Sequence, residues 1–165
     1  MTSVVLVDDQ DLVRAGLRAL LTRGSQIRVT AEATDGRRGI HSVVHHRPDV
    51  VLMDIRMPVM DGIEATRRIR ADERLERTRV VVLTTFDDDA DIIEAIRAGA
   101  VGYLLKDTPA DQLRAAVLRA ARGEHLLSPS ITRRVMDVIA SGPARPTPDP
   151  RLDALSGREI EVLAR

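Results

Sequence analysis

Short apolar runs rich in β-branched residues recur along the chain: VVLV (4–7), IRVTAEA (27–33), VVLM (50–53), VVVL (80–83) and VGYLL (101–105). Between them lie segments of helical spacing. Val13, Leu17, Leu20 and Leu21 share one helical face, as do Leu113, Ala116, Val117, Ala120 and Ala121. Segments 36–46, 62–72 and 88–98 fit helices less sharply. Strands that are apolar on both faces must be covered on both, and parallel neighbours need a crossover, usually a helix. The alternation therefore predicts an α/β fold: a doubly wound, five-stranded parallel sheet over about residues 3–123.

The 165 residues suffice for one such domain with appended structure. An apolar fraction of 44% and a charged fraction of 30% mark a globular chain, and a net charge of zero gives no bulk attraction to nucleic acid or anionic membrane. There is no cysteine, which excludes disulfides and thiolate metal sites and suits a cytoplasmic location. The opening MTSVVLVDDQ lacks the basic segment of a signal peptide, and no apolar run approaches the roughly 18 residues that span a bilayer. With one Tyr, one Phe and no Trp, stacking on bases is an unsuitable binding mode.

After Gly123 the alternation stops. Ile131, Val135, Val138 and Ile139 predict one further amphipathic helix, started by Ser128-Pro129-Ser130. SGPARPTPDP (141–150) reads as an extended linker. LSGREIEVLAR (155–165) opens with the capping-box spacing of Ser156 and Glu159, so a helix is expected to start there. One helix after such a linker cannot bury its own apolar face. The expectation is a second domain of which only the start is present.

In open parallel sheets, ligands bind outside the carboxyl ends of the strands. Asp8-Asp9 follow the first run, Asp54 the third, and Lys106 the fifth, while Thr84-Thr85 follow the fourth. Under the strand order 2-1-3-4-5 these residues meet in one cleft. Carboxylates held that close raise each other's pKa unless a cation lies between them. Oxygen ligands without His or Cys suit Mg²⁺ or Mn²⁺. An aspartate beside such an ion can be a nucleophile towards phosphorus, a lysine can place a point charge on a phosphoryl oxygen, and Thr84 can donate a hydrogen bond to another.

Each residue also has a plainer role. Asp8 or Asp9 can cap the following helix, and Asp87, Asp88 and Asp89 suit caps and first-turn acids. Threonine is common in strands. Lys106 could be a solvated loop charge, yet it is the only lysine beside twenty-four arginines. Asp54 is harder to explain structurally, because Ile55-Arg56-Met57-Pro58 is not a helix start. The joint placement at four strand ends carries the functional reading.

With Asp8-Asp9, VVLMDIRMPVMDG around Asp54, Thr84, and YLLK containing Tyr103 and Lys106, the chain resembles a bacterial two-component response regulator. The resemblance covers residues 1–123, a receiver domain of flavodoxin-like fold. LLKD, the extra helix and LSGREIEVLAR resemble the subfamily whose output is a LuxR-type helix-turn-helix. This implies residues 124–154 as linker and 155–165 as the first helix of a truncated DNA-binding domain.

The resemblance also implies roles. Asp54 accepts a phosphoryl group from a histidine kinase. Asp9 and Asp54 bind Mg²⁺ through their carboxylates, Arg56 through its backbone carbonyl and Asp8 through water. Lys106 pairs with Asp54 and then contacts the phosphoryl group. Thr84 moves towards it, Tyr103 turns inward, and the face of helix 4, strand 5 and helix 5 changes. A homodimer and promoter DNA are the implied partners.

The match departs from the common pattern at Asp107, where many receivers have proline. Asp107 and Thr108 are expected to cap helix 5, with Pro109 in its first turn. The Arg56 side chain is expected either to face the phosphoryl site or to be solvated. His41, His45 and His46 are expected on the exposed end of helix 2. Two other functions remain in view. A Mg²⁺-dependent phosphatase working through an aspartyl phosphate usually needs a second acid two residues on, where Arg56 stands. A flavin or small-molecule binder is weakened by the lack of Trp.

Overall fold

The structure is a computed structural model that describes residues 1–85, 88–127 and 129–141. Its strands are β1 (Thr2–Val7), β2 (Ile27–Ala33), β3 (Val50–Met53), β4 (Arg79–Thr84), β5 (Gly102–Leu105) and β6 (Leu126–Leu127). Its α-helices are α1 (Asp11–Leu21), α2 (Gly36–His46), α3 (Gly62–Ala71), α4 (Asp89–Ala98), α5 (Ala110–Ala121) and α6 (Pro129–Ser141). The strands form one parallel sheet in the order β2-β1-β3-β4-β5-β6. This is the expected doubly wound sheet, with one strand more.

The two-residue period of the strands sorts the core into two layers. Val4, Leu6, Val50, Leu52, Val81 and Leu83 pack with Leu17 and Leu21 of α1 and with Leu113, Val117 and Ala120 of α5. Val5, Val7, Val51, Met53 and Val80 point the other way, onto Val43 of α2 and Ala65 and Ile69 of α3. Burying each such aliphatic side chain is worth about 1.5–3 kcal/mol. That is why the central strands are apolar without alternation.

β6 was not expected. It has two residues, too short to show a period, and comes after a Gly-containing turn that also suits a linker. The chain divides into two compact units, Met1–Ile131 and Thr132–Arg165. In the second, the described part is the remainder of α6 up to Ser141, with Met136 and Ile139 exposed. The start signal Ser128, the proline-rich stretch after Ser141 and the capping-box helix expected over 155–165 lie outside the described residues, as does Asp87.

Aspartates cap three of the helices. Asp35, Asp61 and Asp88 cap α2, α3 and α4 by accepting bonds from Arg38 N, Glu64 N and Ala90 N. At α5 the expectation fails. Pro109 is the N-cap and no side chain caps it; the Thr108 hydroxyl turns back to the Leu105 carbonyl at 2.5 Å. Proline has no side-chain acceptor to offer the first-turn amides, and the Thr108 hydroxyl instead closes the turn that ends β5.

Candidate functional site

β1 and β3 are paired in register, Val7 beside Met53, so Asp8 and Asp54 leave the sheet side by side. The Asp54 amide donates to the Val7 carbonyl at 2.9 Å, which extends the ladder to the acid itself. β4 and β5 are likewise paired through Thr84 and Leu105, and the Lys106 amide donates to the Thr84 carbonyl at 2.8 Å. The sheet thus delivers Asp8, Asp54, Thr84 and Lys106 to one edge.

Lys106 Nζ lies 2.6 Å from Asp8 Oδ2 and 3.4 Å from Asp54 Oδ2. The expected partner was Asp54; the closer one is Asp8. Both acids have a second bond. Asp8 Oδ1 accepts from Gln10 N at 2.8 Å and Asp54 Oδ1 from Ile55 N at 2.9 Å. Asp8 does not cap α1, whose N-cap, Gln10, makes no side-chain cap bond. Asp8 and Asp54 are buried and Asp9 is exposed, and one carboxylate oxygen from each of the three lies within 4.8 Å of the others.

Burial pushes Asp54 up from 3.8 to about 6; the ammonium of Lys106 opposes the rise and the charge of Asp8 adds to it. One ammonium faces three carboxylates, and the deficit is two positive charges. A hard divalent cation fits that deficit and that all-oxygen donor set.

The β3–α3 loop holds Asp54 from below. Gly62 is obligatory, because a Cβ there would fall 1.9 Å from the Asp54 carbonyl oxygen. Its amide donates to the Ile55 carbonyl at 2.9 Å. Val59 has φ of 70°, and the Met60 amide donates to the Pro58 carbonyl at 2.7 Å across it. That is a γ-turn on a β-branched residue, a strained conformation of the kind found near functional loops.

Thr84 is fully buried at the end of β4. Tyr103 is also fully buried, so a switch at this ring is a change of packing within the fold, not enclosure of an exposed ring. Arg56 takes the solvated course: its side chain is exposed. Its guanidinium reaches across to α4 and meets Asp91 Oδ2 at 2.5 Å. His41, His45 and His46 of α2 are exposed, as expected, and His46 Nδ1 lies 2.9 Å from the Ser42 carbonyl. Residues the sequence reasoning missed are Asp91, and Arg14, whose Nη1 donates to the Asp8 carbonyl at 2.6 Å. Neither lies at a strand end, and only the helical spacing of the acidic α4 segment hinted at Asp91.

Comparison with known proteins places the fold in a family. Residues 4–118 match the response regulator receiver domain. The chain is 38% identical over 163 residues to the transcriptional regulatory protein LiaR of Bacillus subtilis, covering 99% of this chain and 75% of that one. It is 40% identical over 170 residues to LnrK of the same organism, with coverage of 99% and 76%. A crystal structure of a LuxR-family two-component response regulator from Aurantimonas sp. superposes with a TM-score of 0.77 at 32% identity, over 85% of this chain and 99% of that one. The chain belongs to the response regulator receiver family.

Proposed function

We propose that Asp54 is the phosphoacceptor of a two-component pathway. The observation that carries this is the Lys106 ammonium between the buried Asp8 and Asp54 carboxylates, with Asp9 completing the acidic cluster. A carboxylate oxygen of Asp54 attacks phosphorus of the kinase's phosphohistidine. The P–N bond breaks, and the imidazole nitrogen leaves with the bonding pair and takes up a proton. Asp8, Asp9, Asp54 and the Arg56 carbonyl would hold Mg²⁺ or Mn²⁺. When bound, the ion neutralises the carboxylates and the phosphoryl oxygens. Lys106 supplies a point charge to one phosphoryl oxygen, and Thr84, at the adjoining strand end, donates to another. The dedicated-phosphatase alternative lacks its acid: position 56 is an arginine engaged with Asp91.

We further propose the division into receiver (1–123), linker (124–154) and the opening of a DNA-binding region (155–165), with a sensor histidine kinase, promoter DNA and a second copy of the chain as partners in the cytoplasm. Relatives that are transcriptional regulatory proteins longer than this chain support this reading. No described helix is long and apolar enough to cross a membrane.

The test is intact mass after acetyl phosphate. One adduct on the wild type that requires a divalent cation, and none on Asp54→Asn, is the expected result. A hydroxylamine-sensitive adduct on Asp54→Asn would overturn the assignment.

A further inference from the structure

β6 connects the cleft to the helix beyond the receiver. After α5 the chain turns at Gly123, φ 85°. Glu124 is then clasped by Arg119 at 2.9 Å and Arg122 at 3.2 Å. This returns the chain to the sheet, where the Leu126 amide donates to the Val101 carbonyl at 2.6 Å and Leu126 and Leu127 pair with Gly102 and Tyr103. Leu126 is buried in the same core layer as Val101, Leu113 and Val117. Ile131, at the start of α6, is buried too. Gly102 makes the seat: a Cβ there would lie 3.0 Å from the Leu126 carbonyl oxygen and 3.1 Å from the Leu126 Cβ.

The same four-residue strand therefore does two things. At its carboxyl end β5 leads directly into Lys106, which holds Asp8 and Asp54. Along its outer edge it carries β6, whose chain runs on into α6. β6 has one neighbour strand and two paired residues, the low-stability end of what a sheet can hold. A two-state element of that kind is what coupling between sites requires.

We propose that β6 is a strap seated on β5 in the unphosphorylated chain and unseated when Lys106 is drawn to the phosphoryl group, so that the state of Asp54 reaches α6 through the β5–β6 pairing. The proposal rests on Asp54 being the phosphoacceptor. Coupling is reciprocal: whatever unseats β6 also favours the phosphorylated state.

The experiment is hydrogen–deuterium exchange on the full chain, with and without acetyl phosphate and Mg²⁺, while intact mass reports the adduct. The Leu126 amide, bonded to the Val101 carbonyl, should exchange at least tenfold faster in the phosphorylated chain, with β1 and β3 unchanged. Gly102→Ala should show that fast exchange before phosphorylation. An adduct with unchanged exchange at the Leu126 amide overturns the strap and leaves the receiver reading intact; no adduct at all overturns both. The wild-type measurement decides the proposal even if Gly102→Ala does not fold.

Discussion

Lys106 is the residue at which charge and shape can be separated. Its ammonium is largely buried and contacts two carboxylates that do not share its strand. A guanidinium keeps the charge but is planar and forked, and favours bidentate pairing with one carboxylate over a single-point contact beside a metal. Lys106→Arg should therefore still be phosphorylated on Asp54 but should not pass the change on. The check is light scattering: once phosphorylation is shown to change the oligomeric state of the wild type, that change should be absent in the phosphorylated variant. The same size of shift in both would mean that Lys106 contributes charge alone. Arg56 offers a second test at this scale. Its ion pair with Asp91 is partly exposed, so Asp91→Asn should cost no more than about 1 kcal/mol of stability. It also frees the guanidinium next to the phosphoacceptor. The lifetime of the phosphoryl group, read by mass against time, should change at least several-fold, and an unchanged lifetime would leave the pair a surface contact only.

The β3–α3 loop shows what an element can hold that its residues do not announce. Asp54 and Gly62 are eight positions apart in sequence, yet the glycine has room only for hydrogen against the Asp54 carbonyl. Gly62→Ala must move backbone, not a flexible side chain. Its cost should reach about 3 kcal/mol or more, beyond usual overpacking, with loss of the acetyl phosphate adduct. Urea unfolding measures the first, and a loss below about 1 kcal/mol would mean that the loop yields cheaply. The strands and α1 and α5 were legible because burial imposes a period on them, and the acids at the strand ends because parallel topology sends them to one edge. β6 was not legible: two leucines have no period, and only tertiary pairing to β5 makes them a strand. The Arg56–Asp91 pair spans 35 residues and arises from where α4 lies, not from any local pattern. Thr108 looked like a cap because such residues usually are; the turn that ends β5 engaged its hydroxyl instead.

For the whole molecule, the cleft sets acid chemistry against stability. Asp54 holds its proton up to about pH 6 in the folded chain, against an ordinary 3.8. Below about pH 4 the group is neutral folded or unfolded and costs nothing. Between 4 and 6 the unfolded chain has released the proton while the folded chain keeps it, so stability falls as pH rises. Above 6 the full cost stands, on the order of 3 kcal/mol for a shift of about two units. Without divalent metal, Asp54→Asn should therefore melt higher than the wild type at pH 8. The gap should narrow steadily towards pH 5, because protonation removes the same charge that the amide removes. The amide keeps the volume of the acid, and Lys106 keeps Asp8 at 2.6 Å, so little else changes. Mg²⁺ should close that gap from the wild-type side. It binds the folded wild type and raises its melting temperature by mass action, while the variant, one anionic ligand short, gains less. Thermal melts at pH 5, 6, 7 and 8 in EDTA and in Mg²⁺ give the comparison. A gap that stays constant with pH, or widens towards pH 5, would mean that Asp54 is not the acid held neutral by the fold, and that the pull of Lys106 outweighs its burial.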